Sequence, residues 1–188
     1  MAPRFSEAEL AAARSRTIDD VLPGPADPPL RVLFCGINPG LVSAITGLHF
    51  ARPGNRFWPA LHLSGLTPRL LDPSEQDELR GLGLGITNMV ARASARADEL
   101  SGAEIVAGGE RLRALVAAEQ PAWLAVVGIT VFRTAFAQPK ATIGPQEQSF
   151  GTTRVWALPN PSGLNAHWQL PELAAEFGRL RTAAGYPL

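Results

Sequence analysis

Hydrophobic and polar positions alternate along this chain in two rhythms. Short apolar runs bounded by Gly, Pro or Asn fall at Leu30 to Phe34 (broken only by Arg31), Trp123 to Val127 and Arg154 to Leu158. Runs of this length suit strands buried on both faces. Gly81 to Val90 sets glycine between Leu and Ile before Thr87-Asn88-Met89-Val90. It predicts a short strand entering a loop, with Gly83 and Gly85 marking close backbone approach. Helical spacing appears in Ser101 to Gln120, where Ile105, Leu112, Leu115 and Val116 form a stripe that Gly108-Gly109 weakens and Pro121 closes. It returns in Pro171 to Ala184, with Leu173, Phe177 and Leu180 on one face. Shorter helices are expected at Thr130 to Ala137, from Trp58 to Ser64, and at Ser74 to Arg80 with Ser74 as N-cap and acidic residues in the first turn. Leu41 to Pro59 reads as a long ordered connection anchored by Phe50, Phe57 and Trp58, and Lys140 to Gly151 as a polar loop. Strands alternating with helices imply an α/β fold with a parallel sheet covered on both sides.

Residues 1–29 form an N-terminal extension, flexible or peripherally packed, ahead of a single domain over 30–188. Ser6 and Glu9 have the spacing of a capping box for a helix over Ser6 to Arg16. Thr17 to Leu22 suits another helical turn, and the prolines at 23, 25, 28 and 29 then block regular structure. No internal repeat or low-complexity segment is present.

Composition narrows the chemistry. A chain of 188 residues, 46% hydrophobic, supports one real core. No apolar run approaches the ~20 residues of a membrane span, and Met1 to Glu7 lacks a signal-peptide core, so a cytoplasmic protein is expected. Cys35 is the only cysteine, too few for an internal disulfide, a cysteine zinc site or an iron–sulfur cluster, and its place in a strand makes it a buried, inert thiol. His49, His62 and His167 show no metal-ligand spacing. His62 reads as structural. Seventeen basic residues balance seventeen acidic ones, but five of the acids precede residue 30, leaving a slightly basic body. Only Lys140 is a lysine; the remaining bases are arginines, which suit bidentate phosphate contacts.

Two strand ends carry the candidate chemistry. The first stops in Gly36-Ile37-Asn38-Pro39-Gly40, the last in Asn160-Pro161-Ser162-Gly163-Leu164-Asn165. In a parallel sheet both loops emerge on one edge, where open α/β sheets bind ligands. One offers an amide in a stiff turn. The other raises a leucine on a Pro-stiffened turn, which fits an apolar wedge entering a base stack. Asn38 is equally readable as a turn residue and Phe50 as a core aromatic. A dinucleotide-binding reading is poorly supported, because the glycines form G-x-x-x-G and a proline interrupts the turn.

Phe34-Cys35-Gly36-Ile37-Asn38-Pro39-Gly40-Leu41, Gly47-Leu48-His49-Phe50-Ala51-Arg52-Pro53-Gly54-Asn55-Arg56-Phe57-Trp58, Gly85-Ile86-Thr87-Asn88-Met89-Val90 and Leu158-Pro159-Asn160-Pro161-Ser162-Gly163-Leu164 follow one another in order. Together they resemble the mismatch-specific uracil-DNA glycosylase and thymine-DNA glycosylase family over roughly Arg31 to Leu180. The resemblance implies a three-layer α/β/α sandwich with a mostly parallel central sheet. It implies hydrolysis of the uracil–deoxyribose bond in double-stranded DNA, without metal or cofactor, by a monomer. Asn38 would hold the attacking water. Ile37, Ser43, Phe50 and Asn88 would form the uracil pocket, with Phe50 as stacking face and Ser43 near the C5 edge. Leu164 would be the wedge, with Ser162, Gly163 and Asn165 beside the widowed guanine. Arg52, Arg56 and His167 are candidate phosphate contacts, the two arginines being equally readable as partners of internal carboxylates. Two departures stand out. Ala166 occupies a position where some relatives carry Arg, which leaves Asn165 or His167 to replace it. Thr87-Asn88 is closer to the thymine-processing branch, so the substrate range is open at this point. A non-catalytic sensor that flips and holds damaged bases is the alternative of a different class.

Overall fold

The computed structural model describes residues 5–186; residues 1–4 of the extension and the last two of the domain lie outside them. Five strands form one sheet: β1 (Val32–Gly36), β2 (Leu84–Asn88), β3 (Trp123–Val127), β4 (Gly144–Phe150) and β5 (Thr153–Leu158), in the order β2-β1-β3-β5-β4. The first four in that order are parallel, and β4 is antiparallel to β5 at the edge.

The period of two along β1 builds two cores at once. Val32 and Phe34 join one layer with Phe57, Trp156 and Phe177, while Leu33 and Cys35 join the other with Leu112, Leu124, Val126 and Phe132. The first layer is covered by α3 (Phe57–Leu63) and α7 (Leu170–Ala183), the second by α5 (Gly102–Glu119) and α6 (Ile129–Ala135). Phe34 stacks on Phe177 at 5.8 Å and meets Phe57 edge-on at 5.4 Å. Such geometries add to plain area burial. Cys35 is fully buried, and burial pushes its thiol up, far from thiolate chemistry. Ser101 and Glu104 close a reciprocal capping box on α5. Gly108 and Gly109, a weakness by propensity, let α5 approach the backbone at Met89 and Ala135 where a Cβ would collide.

Several local expectations are corrected. Lys140 to Gly151 is not a loop. It contains β4, whose burial alternates residue by residue, and Pro145 is tolerated because the strand lies at an edge. An edge strand is fixed by backbone pairing, so a polar sequence leaves little apolar signal. Leu41 to Pro59 holds a helix, α2 (Leu41–Thr46), and the beginning of α3. Ser74 is not an N-cap. Asp72 caps a 3-10 turn over Pro73–Glu75, and a short α4 (Glu78–Gly81) follows. Thr17 to Leu22 is extended rather than helical, and Val21 pairs with Ile86 through two 2.8 Å backbone hydrogen bonds at the β2 edge.

The N-terminal strap is anchored at separate points along its described length, with Ala13 and Val21 buried. Helix α1 (Glu7–Ala13) buries Ala13 against Ala44 and Ala93, and Arg14 pairs with Glu99 at 2.6 Å. Beyond it the strap runs past the carboxyl ends of the strands. Among the described residues, no helix is long and apolar enough to cross a membrane.

Candidate active site

The chain leaves β1 toward β2 on one side and later returns to β3 on the other, so the crevice beyond β1 is the sheet's topological switch point. A cavity of about 760 Å³ opens there. It gathers the ends of all four parallel strands: Ile37 and Asn38 after β1, Asn88 of β2, Val127 of β3, and Asn160 to Ser162 after β5.

Asn38 is half-buried in its wall, and its amide nitrogen is fully engaged. Nδ2 donates to the Ser94 hydroxyl at 2.8 Å and to the Arg92 carbonyl at 3.0 Å. The Ser94 hydroxyl donates onward to the Arg96 carbonyl at 2.7 Å, so toward Asn38 it can only accept. These bonds fix the amide plane and leave Oδ1 as an acceptor for a ligand. The Arg92 segment is held in turn by a 2.5 Å ion pair with Glu104, whose carboxyl is lowered to about 2, chiefly by that hydrogen bond. Ser94 carries no signal in the sequence. It lies 56 residues from Asn38 in a polar segment with no periodicity, and only the tertiary contact marks it.

Phe50 adopts a left-handed backbone, φ 53°, which is unusual for an aromatic residue. One face of its ring stacks on Phe57, with centroids 3.9 Å apart and an 18° tilt, and that packing holds the conformation. The ring is thus a core aromatic that also borders the cavity. Gly36 lets Asn88 and Phe50 pack closely on its backbone: a Cβ there would come within 2.6 Å of Asn88 Oδ1 and 3.2 Å of Phe50 Cζ. Ser43 is buried, accepts a hydrogen bond from the Ala51 N–H at 3.2 Å, and lies on the same wall.

Across the opening stands the loop after β5. Leu164 is 74% exposed. Its base is rigid. Asn160 Oδ1 accepts from Ser162 N–H, Asn165 Nδ2 donates to the Asn160 carbonyl, and the Ser162 hydroxyl accepts from Leu164 N–H. Arg56 drives its guanidinium into the loop from below, donating to the carbonyls of Ser162, Asn165 and Trp168 and to the Gln169 amide. These contacts bind the two terminal nitrogens to the loop, and no carboxylate is among their partners. A Cβ on Gly163 would come within 2.7 Å of the Gly54 carbonyl, so the loop seats directly on the turn after Arg52.

Of the residues singled out in sequence, Ile37, Asn38, Ser43, Phe50, Arg52, Asn88, Ser162 and Leu164 border the cavity. Gly163, Asn165, Arg56 and His167 do not line it; the first three build the loop, and His167 is exposed beside it. Arg52 is exposed at the rim, and opposite it the loop Ser94 to Asp98 carries Arg96, paired with Asp98 at 2.5 Å. Ile18 of the strap closes another side. Among the described residues no group of three or more His, Cys, Asp or Glu side chains is placed to hold a metal ion.

The arrangement offers an apolar-faced slot, an immobilised amide acceptor at its edge and an exposed leucine opposite. The model of the uracil DNA glycosylase superfamily matches residues 23–180, a stretch that contains every strand and both of these loops. A match over most of the chain, with the site at the sheet's switch point, places this protein in the uracil DNA glycosylase superfamily and makes it a DNA glycosylase, a hydrolase acting on uracil in DNA.

Proposed function

We propose that this protein belongs to the mismatch-specific branch, flips uracil out of double-stranded DNA, preferentially from G·U pairs, and hydrolyses its N-glycosidic bond as a monofunctional, monomeric enzyme. The observation that carries the reading is the pairing of a tethered Asn38 amide with an exposed Leu164 across one cavity. A base inside a duplex is out of reach, and unstacking it costs a few kcal/mol, less at a mismatch. Leu164 fills the gap left in the stack, on a loop too firmly braced to fold away. Ser162, Gly163 and Asn165 lie beside the widowed guanine.

In the cavity the uracil lies against Phe50, with its polar edge toward Asn88 and the backbone around Ile37 and Phe50. Asn38 Oδ1 accepts a hydrogen bond from a water and holds it below the anomeric carbon. The water oxygen bonds to C1′ as the C1′–N1 bond breaks, and the bonding pair leaves with uracil as its anion. The water proton passes to solvent, because an amide cannot take it up. Asn38 therefore contributes positioning rather than general-base catalysis. Turnover is correspondingly slow and depends on a good leaving group. Buried Ser43 at the C5 edge favours uracil over thymine.

Incubating the protein with end-labelled duplexes carrying G·U, A·U, G·T or G·C, followed by alkali, tests this. Strand breaks are expected at G·U above A·U, with little at G·T and none at G·C. Tight binding to the G·U duplex without breaks would make the protein a sensor instead.

A further inference from the structure

Among the described residues that border the cavity, two carry a guanidinium, Arg52 and Arg96, and one carries a carboxylate, Asp98. That carboxylate is committed to one of the two. Arg96 donates to Asp98 twice, from Nε to Oδ1 at 3.1 Å and from Nη2 to Oδ2 at 2.5 Å. Both side chains stand open to water, 73% exposed for Arg96 and 62% for Asp98. The backbone beneath them is held. The Arg96 carbonyl accepts from the Ser94 hydroxyl at 2.7 Å and from the Glu99 N–H at 3.3 Å. The Ser94 N–H donates to the Pro39 carbonyl at 3.1 Å, and Glu99 pairs with Arg14 of the strap at 2.6 Å. Since Ser94 also tethers Asn38, Arg96 stands on the Asn38 side of the mouth. Arg52 stands on the side of the wedge loop, two residues before the Gly54 carbonyl on which Gly163 seats. Among the described residues Arg52 has no carboxylate partner.

From this placement, and resting on the reading of the cavity as the pocket for a flipped nucleotide, we propose that Arg96 binds a backbone phosphate flanking that nucleotide, and that Asp98 holds the guanidinium until the phosphate displaces it. A nucleotide held in the cavity leaves its flanking phosphates at the mouth, where both guanidiniums stand. A guanidinium fork meets a phosphate as it meets a carboxylate, with two parallel N–H donors, and the bond to Asp98 already uses that fork. An ion pair this exposed contributes little and is screened by salt, so exchanging one anion for another costs little. The displaced carboxylate, repelled by the phosphate, turns to solvent. Asp98 thereby weakens contact with DNA that has no nucleotide extruded, whereas Arg52 is available to phosphate throughout.

Equilibrium binding tests this, with a duplex in which G faces 2′-fluoro-2′-deoxyuridine, whose glycosidic bond resists hydrolysis, between about 50 and 200 mM salt. Arg96→Gln should weaken binding by roughly 3- to 10-fold at the low-salt end and lower the slope of log K against log salt by about 1. Asp98→Asn should tighten binding by a few-fold. The double variant separates a contact from net charge: Asp98→Asn should tighten binding less in the Arg96→Gln background than in the parent. Arg80→Gln is the control. Arg80 forms a comparable exposed pair with Asp77 at 2.9 Å, but it lies on α4, ahead of β2 and so at the opposite edge of the sheet. Its loss should leave the slope at the parent's value. An Arg96→Gln slope equal to that of Arg80→Gln would overturn the inference, and so would equal tightening by Asp98→Asn in both backgrounds. If binding shows the expected differences and G·U is nonetheless left intact, the phosphate contact stands and the mismatch-glycosylase reading falls.

Discussion

The chain uses Asn-Pro twice at the ends of parallel strands, at Asn38-Pro39 after β1 and at Asn160-Pro161 after β5, and gives the two amides opposite work. Asn160 turns inward on its own loop, its Oδ1 accepting from Ser162 N–H two residues on. Asn38 makes its bonds outward, to Arg92 and Ser94 more than fifty residues away, and uses only its donors for them. The first is a turn residue by every measure. The second is held like a tool, with its acceptor end unspent. The same dipeptide thus marks the ends of strands in sequence, but only the partners distinguish a loop brace from an amide tethered across the cavity wall. The loops differ in surface as well: the β1 loop lines a cavity, while the β5 loop projects an exposed leucine.

Replacing each asparagine by alanine breaks the comparison most directly. Asn38→Ala should lower excision from G·U by about 10²- to 10³-fold, as expected for a lost positioning contact, with duplex binding retained. Asn160→Ala should cost about 1 kcal/mol of stability through the lost loop bond and change excision by less than about tenfold. Asn38→Asp sharpens the point. A carboxylate has no hydrogen for the Arg92 carbonyl, and it keeps Ser94 only if that hydroxyl turns from the Arg96 carbonyl to donate, so the tether weakens and the variant should be slower than the parent at neutral pH. Single-turnover rates and thermal melts of all three decide it. Equal kinetic losses in the two alanine variants would erase the distinction between the loops.

That distinction was half legible in sequence. Apolar runs placed β1, β3 and β5, and β3 runs over Trp123–Val127 as read from its pattern. A parallel sheet then put both loops on one edge. The polar edge strand β4 left little apolar signal, because it buries alternate residues only and its position is set by backbone pairing. At the site, Asn38, Phe50 and Leu164 were conspicuous because each is out of character with its neighbours. Ser94 and His49 were not. Their importance lies in hydrogen bonds spanning 56, 39 and 30 residues, between Ser94 and Asn38, His49 and Asn88, and His49 and the Asp19 carbonyl, which local pattern does not encode. Arg56 was conspicuous, but its guanidinium geometry, aimed at three carbonyls and an amide, became visible only in the fold.

The β5 loop should respond to two further changes. Leu164→Ala removes the proposed wedge but leaves the hydrogen-bonded base of the loop. It should slow excision by about tenfold, the scale of losing part of a leucine's buried area against the few kcal/mol of unstacking. The penalty should be larger on A·U than on G·U, because the paired base is harder to open. Arg56→Lys keeps the charge but cannot span the guanidinium's acceptors. It should lower stability by about 1–3 kcal/mol, read from chemical denaturation. A Leu164→Ala enzyme equally impaired on both duplexes would argue that the leucine does not compete with base pairing.

The smallest effect separates the two loops by pH. His49, behind the β1 loop, is buried, and desolvation holds its imidazole below the ordinary 6.5, against the opposing pull of the Asp19 carbonyl and Asp20. The unfolded chain therefore binds the proton more readily. Stability from this group is fully present above about pH 6.5 and is lost as pH falls from there through the folded pKa. The Arg92–Glu104 pair that steadies the Asn38 tether has its carboxyl lowered to about 2 and keeps its charges throughout that window. The β5 loop is braced by amides, a hydroxyl and an arginine. Mild acid should accordingly loosen the Asn88 side of the cavity. Thermal melts of the parent and of His49→Phe between pH 7.5 and about pH 5 should diverge, the parent losing more stability on acidification. Parallel curves would mean that the neutral imidazole is not what ties this half of the site to pH.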